Sequence, residues 1–384
     1  MTFLETIWHE FKALFSNVSV IFVVFVGSIL YAFLYPTPYY ADVVRKQRIA
    51  VIDKDNTALS KDFIFMVNAS NNLDVAYIVD SEQVAKNLLE RNEVYGVLNI
   101  PNGFEKSINK GTPSVLLYRA DASYFLIYGT IIEGLNEVGV TFSNMIKAKR
   151  NALLGQSSVA KNETLVRFDS VPLFNPSVGY INYALAAILV FILHQTLIAG
   201  TMILGAYQNK KHKNGEKGYF NTAPLFYYIA GRIFVFSMIY VILFLIYFGL
   251  FFKLYGINTT ADSFEFWCFA IMFIIACASF GVFLSTFINN PALPTQFILM
   301  SSMPLVFMMG FIYPIMLLPS PLQIFIQIIP AYHGINGFLR LNQMGDTLHA
   351  IMPHFYALFI IFVITFIWTY VRLRRKFYNN KKKS

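Results

Sequence analysis

Charged residues are scarce in this chain, since Asp, Glu, Lys and Arg together make up 13% of its 384 residues. A soluble globular domain usually carries about 25% charged residues. Hydrophobic residues account for 56% of the chain, and the counts of Phe and Tyr are 39 and 23. This composition argues against a soluble protein and predicts an α-helical polytopic membrane protein.

The motifs of several enzyme classes are also absent. The sequence contains no GxxxxGK[ST] phosphate loop, no HExxH, no paired CxxC and no GxSxG. A phosphate loop needs a Lys that reaches the nucleotide phosphates, and the glycine-spaced stretch GLNEVGV at 134–140 has none. His349 and His354 lie five residues apart, which favours a structural role over a shared metal. We therefore predict no catalytic residue, no metal site and no directly bound cofactor.

Cysteine is rare, with two residues in the whole chain. Cys268 and Cys277 are nine positions apart in one predicted helix, so at about 100° per residue they face opposite sides and cannot form a disulfide. We predict that both are small packing residues.

Acidic residues are missing from the centre of every long apolar stretch. An ion-coupled transporter needs a titratable relay inside the membrane, so this class of protein is disfavoured. Uncharged polar residues do occur there, with Asn182, His194 and Gln195 in one stretch and Gln296 in another. These four residues are candidates for a translocation path, although hydrogen bonding between helices is the commoner role of such residues.

Six apolar stretches are long enough to cross a bilayer, whose hydrocarbon core of about 30 Å takes roughly 20 helical residues. They are 18–35, 178–207, 225–252, 264–288, 293–313 and 350–371. Residues 2–16 place their apolar side chains on one stripe, which predicts an interfacial amphipathic helix. The predicted domains are 1–40 with this helix and the first span, 41–172 with a polar domain, and 173–384 with five spans.

Basic residues are concentrated on one side of the predicted spans. Lys210, Lys211, Lys213 and Lys217 lie in the loop 207–223, and the tail 372–384 carries seven Lys and Arg. Short basic loops remain in the cytoplasm. With six spans, both termini are then cytoplasmic and the domain 41–172 is extracytoplasmic. The basic tail is expected to contact anionic membrane lipids.

The polar domain alternates strand-like and helix-like segments, which predicts a small α/β domain. The predicted strands are 47–53, 73–80, 94–101, 113–120 and 163–174, and the predicted short helices are 57–70, 81–92 and 102–110. Ser81 is a helix start, and Gly103 and Gly111 fall at turns. We interpret the long helix over 123–155 as a lever or stalk that stands off the membrane.

The stretch FIYPIMLLPSPLQIFIQIIP at 311–330 is apolar but contains four prolines. An interior proline costs about 3 kcal/mol in a helix, and lipid offers no water to replace the lost hydrogen bond, so a seventh span is disfavoured. Ser320 as N-cap, Pro321 at the first helical position and Gln323 in a capping box predict a short helix over 322–329. We predict a re-entrant outer hairpin over 314–345. The residues expected to shape it are Gly310, Pro314, Pro319, Pro321, Gln323, Gln327, Pro330 and Gly334.

These features together resemble the membrane subunit of ABC-2-type exporters, in the subgroup with a large extracytoplasmic domain between the first and second transmembrane helices. The best match is MMGFIYPIMLLPSPLQIFIQIIPAYHGINGFLRL at 308–341, and NPSVGYINY at 175–183 is similar to the same subgroup. In the loop 207–223, Glu216, Lys217 and Gly218 match the family's Glu-x-Gly-Thr core, and Tyr219 replaces the Thr.

The resemblance implies a permease in a bacterial inner membrane that forms its path as a homodimer or with a paralogous permease. ATP and Mg would be bound by an ATPase subunit on another chain, which would dock on Lys213, Glu216, Lys217, Gly218 and Tyr219. The substrate would be a lipid, a drug-like amphiphile or a lipid-linked molecule. A periplasmic adaptor and an outer-membrane channel are common partners in this subgroup, and nucleic acid is not.

Two other classes of protein remain open from the residues alone. A membrane-anchored extracytoplasmic binding or scaffold protein would use the α/β domain as its working part, and unchanged activity after removal of the loop 207–223 would support it. A membrane glycosyl or acyl transferase would need a cluster of acidic or His residues at one membrane face, and the sequence shows none.

Overall fold

The computed structural model describes residues 1–37, 45–120, 125–153, 179–216 and 218–381. The chain forms two compact units. The small unit is Val43–Val171, and the membrane unit combines Met1–Asp42 with Pro172–Ser384. The strand predicted at 163–174 lies outside the described residues, as does the segment 175–178 of the NPSVGYINY stretch.

The membrane unit begins with two helices at a sharp angle. Helix α1 (Phe3–Phe15) starts at a capping box, and helix α2 (Val18–Leu34) follows after a bend of 81°. The buried residues of α1 are Thr6, Glu10 and Leu14, whereas Leu4 and Trp8 are 77% and 66% exposed. One face of the helix, which carries Thr6, Glu10 and Leu14, therefore packs against protein, whereas Leu4 and Trp8 are free to face lipid.

The small unit is an α/β fold with a four-stranded sheet. The strands have the order β2-β1-β3-β4, in which β1 is parallel to β2 and β3, and β4 is antiparallel to β3. Its elements are β1 (Gln47–Asp53), α3 (Ala58–Ala69), β2 (Leu73–Val79), α4 (Glu82–Glu90), β3 (Gly96–Ile100), α5 (Phe104–Lys110), β4 (Leu117–Ala120) and α6 (Phe125–Leu153).

The long helix α6 is part of the core of the small unit. Ile131, Val138 and Phe142 are buried, and the Phe142 ring lies 5.0 Å from the Phe63 ring. The interpretation of this helix as a free stalk is therefore wrong over residues 131–142. The physical reason is that these apolar side chains lie on one helical face and bury themselves against the other core residues.

The turns of the small unit confirm two local predictions. Ser81 caps α4 by accepting a hydrogen bond from the Val84 amide at 3.3 Å, and Gly103 and Gly111 have φ of 82° and 75°. The carboxylate of Asp55 accepts hydrogen bonds from three consecutive amides at the start of α5, at 2.7–3.0 Å. Burial raises the pKa of Asp55. The three amide hydrogen bonds and one from the Thr57 hydroxyl lower the pKa by more than burial raises it, so the net shift is downward.

The rest of the membrane unit consists of eight helices and two short 3₁₀ turns within the described residues. The helices are α7 (Ile181–Lys213), α8 (Tyr219–Thr222), α9 (Leu225–Leu254), α10 (Ser263–Ser285), α11 (Leu293–Met308), α12 (Ser320–Ile326), α13 (Pro330–Asn342) and α14 (Met352–Lys381).

Four helices among the described residues are long and apolar enough to cross a membrane, or five if the bent α1–α2 pair counts as one span. The four are Ile181–Lys213, Leu225–Leu254, Ser263–Ser285 and Leu348–Lys376. Helix α11 has 16 residues and is shorter than the predicted span 293–313, because the chain turns at Gly310 with φ of 93°. A polytopic helical membrane protein is thus confirmed, and six crossings stay a prediction.

The predicted hairpin region contains two short helices, α12 and α13, and is not one continuous helix over 314–345. The predicted cap is wrong in detail, because Pro319 is the N-cap of α12 and Ser320 is its first helical residue. The Gln323 amide donates to the Leu318 carbonyl oxygen at 2.7 Å. Pro330 begins α13, a position where its missing N–H costs nothing.

Helix α13 is largely buried, whereas α12 has one buried residue, Ile326. Gly334 and Gly337 bring its backbone so close to α10 that an added Cβ would lie 2.2 Å and 2.1 Å from the rings of Phe273 and Phe269. The Phe338 ring packs among five other rings, with centroids 4.9–5.7 Å away. These rings belong to Phe244, Phe248, Phe266, Phe269 and Phe273.

Candidate functional site

A buried ion pair connects α1 to α9. The carboxylate of Glu10 accepts hydrogen bonds from Nε and Nη2 of Arg232, at 3.2 Å and 3.0 Å. The two side chains are 0% and 1% exposed. A buried charge costs several kcal/mol unless it is paired and its hydrogen bonds are satisfied, so each residue strongly constrains the position of the other.

Three further polar residues surround the ion pair. Arg232 also donates to Oε1 of Gln208 on α7, and the Tyr228 hydroxyl donates to the same oxygen at 2.7 Å. The Arg232 guanidinium lies 4.6 Å from the centre of the Tyr228 ring. The side-chain amide of Gln208 donates to the hydroxyl of Tyr219 on α8. We name Glu10, Gln208, Tyr219, Tyr228 and Arg232 the polar cluster.

Tyr219 links the polar cluster to the loop 207–223, which we name the basic loop. Its ring stacks on the ring of His9, with centroids 5.5 Å apart and planes 15° from parallel. Burial raises the pKa of Tyr219, and the nearby Glu10 carboxylate raises it further, so the hydroxyl remains protonated. Through this side chain the loop contacts both α1 and α7.

A second set of contacts fixes the end of α7. The Asn209 amide donates to the carbonyl oxygens of Ser285 and Ile288, at 2.8 Å and 2.9 Å. The Lys376 ammonium donates to Oδ1 of Asn209 at 2.9 Å. The last carbonyl groups of a helix have no hydrogen-bond donor within the helix, and the Asn209 side chain is such a donor at the end of α10. The ends of α7, α10 and α14 are thus held together beside the basic loop.

The predicted ATPase-docking residues divide into two groups. Lys213 and Glu216 are exposed at the turn of the basic loop, and Glu216 lies 3.8 Å from Lys211. Gly218 precedes α8 in an extended conformation, and Tyr219 points into the polar cluster. Lys217 lies outside the described residues.

The predicted translocation-path residues do not share one environment. Asn182 is buried and accepts a hydrogen bond from the Asn258 amide at 3.0 Å. His194 is buried between the rings of Phe191 and Phe273, with Gln195 buried beside it in sequence. Gln296 is exposed on α11. Three of the four residues are therefore packed inside this chain, and their role in a path stays a prediction.

The hairpin residues and His354 have clear positions. Gln327 is exposed, and its carbonyl oxygen lies 2.9 Å from Nε2 of His333 on α13. His354, for which we predict a structural role, has Nδ1 3.1 Å from Nδ1 of His333. This contact joins the start of α14 to α13. Pro314, Pro319 and Pro321 are exposed, and Pro330 and Gly334 are buried.

The sequence did not single out Glu10, Gln208, Tyr228 and Arg232. Glu10 lies on the polar side of an amphipathic helix, where a carboxylate is normally hydrated. Arg232 lies seven residues inside α9, and this unusual position was the one available signal. A charge within an apolar segment needs a partner of opposite sign.

Long apolar helices packed around a central buried α7 define an α-helical multi-pass membrane protein. The family model described as ABC-2 family transporter protein matches residues 18–371, and the chain belongs to this family. No individually curated protein matches the chain. The match confirms the resemblance to ABC-2 permeases, whereas the subgroup with a large extracytoplasmic domain stays a prediction. An ABC-2 permease is a membrane subunit of an ABC transporter without its own nucleotide-binding domain, and it normally works with an ABC ATPase.

Proposed function

We propose that this chain is the permease subunit of an ATP-driven exporter and that the polar cluster couples a partner ATPase to the membrane helices. The observation that carries this proposal is the buried ion pair of Glu10 and Arg232 with its neighbours. One hydrogen-bonded network joins α1, α7, α9 and the basic loop. A force applied to the loop would therefore reach three other elements through fixed contacts.

The partner side of the coupling would be the exposed turn of the basic loop. Lys213 and Glu216 are accessible there, while Tyr219 faces inward. The excess of Lys in this loop and of Lys and Arg in the tail supports a cytoplasmic location for both, with both termini inside a bacterial inner membrane. ATP and Mg would be bound by the ATPase chain, and closure of that ATPase would push on the turn.

The movement would propagate because the network resists partial opening. Breaking a buried ion pair on one side only leaves an uncompensated charge, at a cost of about 3–5 kcal/mol. Displacement of Tyr219 would therefore move Gln208 and Arg232 with it rather than detach from them. Since α7 is buried along its apolar length, a shift of its end would act on the helices packed around it.

The transported substrate would pass between two copies of the chain or between the chain and a paralogous permease. Helix α11 packs against α7 and leaves Met300 and Met303 largely exposed. An apolar surface of this kind suits contact with a second permease, with lipid or with an amphiphilic substrate. A lipid, a drug-like amphiphile or a lipid-linked molecule is the substrate class we propose. A periplasmic adaptor and an outer-membrane channel belong to the same proposal.

The test is to change the ion pair while leaving the exposed turn intact. The variants are Glu10→Arg, Arg232→Glu, the exchanged pair of both, and the apolar pair Glu10→Leu with Arg232→Met. Lys12→Gln serves as the control, because Lys12 is an exposed charge on the same helix. Each full-length variant is purified with its ATPase, placed in vesicles, and assayed for ATP hydrolysis and for movement of a fluorescent phospholipid.

We expect both single variants to keep ATPase binding and to lose most ATP-dependent transport. The exchanged pair should recover part of it, because opposite charges again face each other, and Lys12→Gln should behave like the unchanged chain. Transport at the original rate in both single variants would contradict the coupling role. Absence of any associated ATPase would favour the alternative of a membrane-anchored scaffold.

A further inference from the structure

A cavity of about 680 Å³ lies beside α14, where this helix passes the connection between α10 and α11. Its lining combines basic and aromatic side chains. Arg372, Arg375 and Lys376 supply positive charge, and Phe287 and Trp368 supply aromatic surface. The cavity lies wholly within the membrane unit.

Two of the three cationic side chains are held in position by contacts within the chain. The Arg372 guanidinium carbon lies 3.7 Å from the centre of the Phe287 ring, which holds it at the wall of the cavity. Lys376 is oriented by its hydrogen bond to Asn209. Among the residues that the structure describes, no carboxylate forms an ion pair with Arg372, Arg375 or Lys376. The cavity is therefore suited to an anion from outside the chain.

The remaining wall is apolar and continuous with the outer surface of α14. Ile367, Trp368 and Val371 line the cavity and are all exposed. Ile360 and Ile364 are exposed on the same helix one to two turns earlier, as expected for a stripe that faces acyl chains. The apolar sequence of α14 ends at Val371 and the basic sequence begins at Arg372. The boundary between hydrocarbon and headgroups is therefore expected at this cavity.

We propose that this cavity is a binding site for an anionic phospholipid, with Arg372 and Arg375 contacting the headgroup phosphate and one acyl chain lying along Trp368 and Val371. Guanidinium groups bind phosphate oxygens through paired hydrogen bonds, and Lys376 adds a third positive charge. Basic pockets between transmembrane helices recognise lipid headgroups in the same way. The exposed apolar wall favours a lipid over an acidic protein surface, because an acyl chain would cover this wall and an acidic surface would leave it uncovered.

The site goes beyond the proposed transport function, since it involves neither the polar cluster nor the exposed turn of the basic loop. Its residues also offer a matched control. Arg374 is exposed in the same basic run of α14 but does not line the cavity. Loss of general attraction to an anionic membrane can therefore be separated from loss of the site.

Trp368 provides a local probe of occupancy. The chain has three Trp residues, so Trp8→Phe with Trp267→Phe leaves Trp368 as the only one. The full-length single-Trp chain is placed in micelles with phosphatidylglycerol or phosphatidylcholine that carries bromine on its acyl chains. Quenching of Trp368 fluorescence then gives the relative affinity for the two lipids.

We expect a clear preference for phosphatidylglycerol. Arg372→Gln with Arg375→Gln should lower this preference by about fivefold for each arginine removed, as expected for one positive charge near an anionic headgroup. Arg372→Lys with Arg375→Lys should keep part of it, because the positive charges remain while the paired hydrogen bonds of the guanidinium groups are lost, and this retained part also shows that the helix is intact. Arg374→Gln should leave it within about twofold of the unchanged chain.

Three results would overturn the proposal. An equal loss in Arg374→Gln would mean that only the general charge of α14 matters. Retained preference in Arg372→Gln with Arg375→Gln would remove the assigned ligands. Displacement of the brominated lipid by millimolar inorganic phosphate or by a soluble acidic peptide would show that the site binds a free anion or a protein rather than a lipid.

Discussion

Replacement of Phe338 by Ala tests whether α13 is a packed part of the membrane unit. The Phe338 side chain is 2% exposed and fills the space between α13, α9 and α10. Its ring contacts phenylalanine rings on both α9 and α10. Removal of this one ring should therefore loosen three helices at once.

The size of the effect follows from the volume removed. Loss of the ring deletes about 100 Å³, and at about 24 cal/mol per Å³ of cavity the cost is about 2.4 kcal/mol. In soluble proteins a Phe→Ala change costs about 3–5 kcal/mol, because burial from water is lost as well. Transfer between lipid and protein gives little additional energy, since lipid chains are as apolar as the side chain. We expect a loss of about 2–3 kcal/mol in the free energy of unfolding.

The measurement is unfolding of the full-length chain by increasing SDS in mixed micelles, followed by circular dichroism. Phe359→Ala is the matched control, because Phe359 is 49% exposed on α14. Its expected effect is within about 0.5 kcal/mol. If Phe338→Ala and Phe359→Ala unfolded at the same SDS concentration, the close packing of α13 among the long helices would be refuted.

Two other substitutions probe close contacts in each unit. Gly337→Ala should destabilise the membrane unit by about 1–3 kcal/mol in the same SDS assay, because its Cβ would overlap a phenylalanine ring. Gly249→Ala should not destabilise the unit, because a Cβ added at Gly249 has no other atom within 4 Å. Equal effects of the two substitutions would contradict the close contact at Gly337. Asp55→Ala should speed hydrogen exchange at the first amides of α5, by an amount equivalent to about 1–2 kcal/mol. The exposed Asp62→Ala is its control, and unchanged exchange in Asp55→Ala would contradict the capping role. Since the folded-state pKa of Asp55 is lowered, its stabilisation is fully present above the ordinary aspartate pKa of 3.8 and is lost as the pH falls through the folded-state pKa.

The apolar helices could be located from the sequence because their limits have local causes. Helix α9 begins at Leu225 after Pro224, and α2 begins at Val18 after the capping residue Asn17, as the apolar stretches predict. Helix α11 ends five residues before its predicted limit. The apolar sequence continues through Tyr313, but the backbone turns at Gly310, and hydropathy carries no information about backbone dihedrals.

Strands β1 and β2 were located to within one residue from their short apolar segments, whereas β4 begins four residues after its predicted start, at Leu117. Strand β1 is buried on both faces, so its apolar residues are consecutive. The arrangement of the strands was not predictable. The antiparallel pairing of β4 with β3 depends on the path of the whole chain. The role of α6 was missed for a related reason. Ile131, Val138 and Phe142 show that one face is apolar but not what that face covers.

The candidate site could be predicted only in small part. The family resemblance names Tyr219 as an ATPase-docking residue, which stays a prediction, whereas in the structure Tyr219 faces the polar cluster, and its neighbours Glu10 and Gln208 come from distant parts of the sequence. An arginine inside an apolar helix, such as Arg232, needs an acidic partner, and this partner should lie on the basic side of the helices. Of the two acidic residues of α1, Glu5 forms the capping box with Thr2, whereas Glu10 has no such local role. The packing of α1 against α9 then brings Glu10 to Arg232.

The chemistry of the ion pair explains why it suits coupling better than stability. Replacing a buried ion pair with well-packed apolar residues is often neutral or stabilising, so the pair of Glu10 and Arg232 is not needed merely to hold α1 against α9. Apolar side chains would hold the helices but would let them slide. A guanidinium bound to one carboxylate through two N–H groups, and to Gln208 through a further hydrogen bond, fixes direction and register at the same time. The apolar pair Glu10→Leu with Arg232→Met should therefore separate stability from coupling. If the ion pair serves to fix the direction and register of α1 against α9, this variant should be a stable permease that no longer transports.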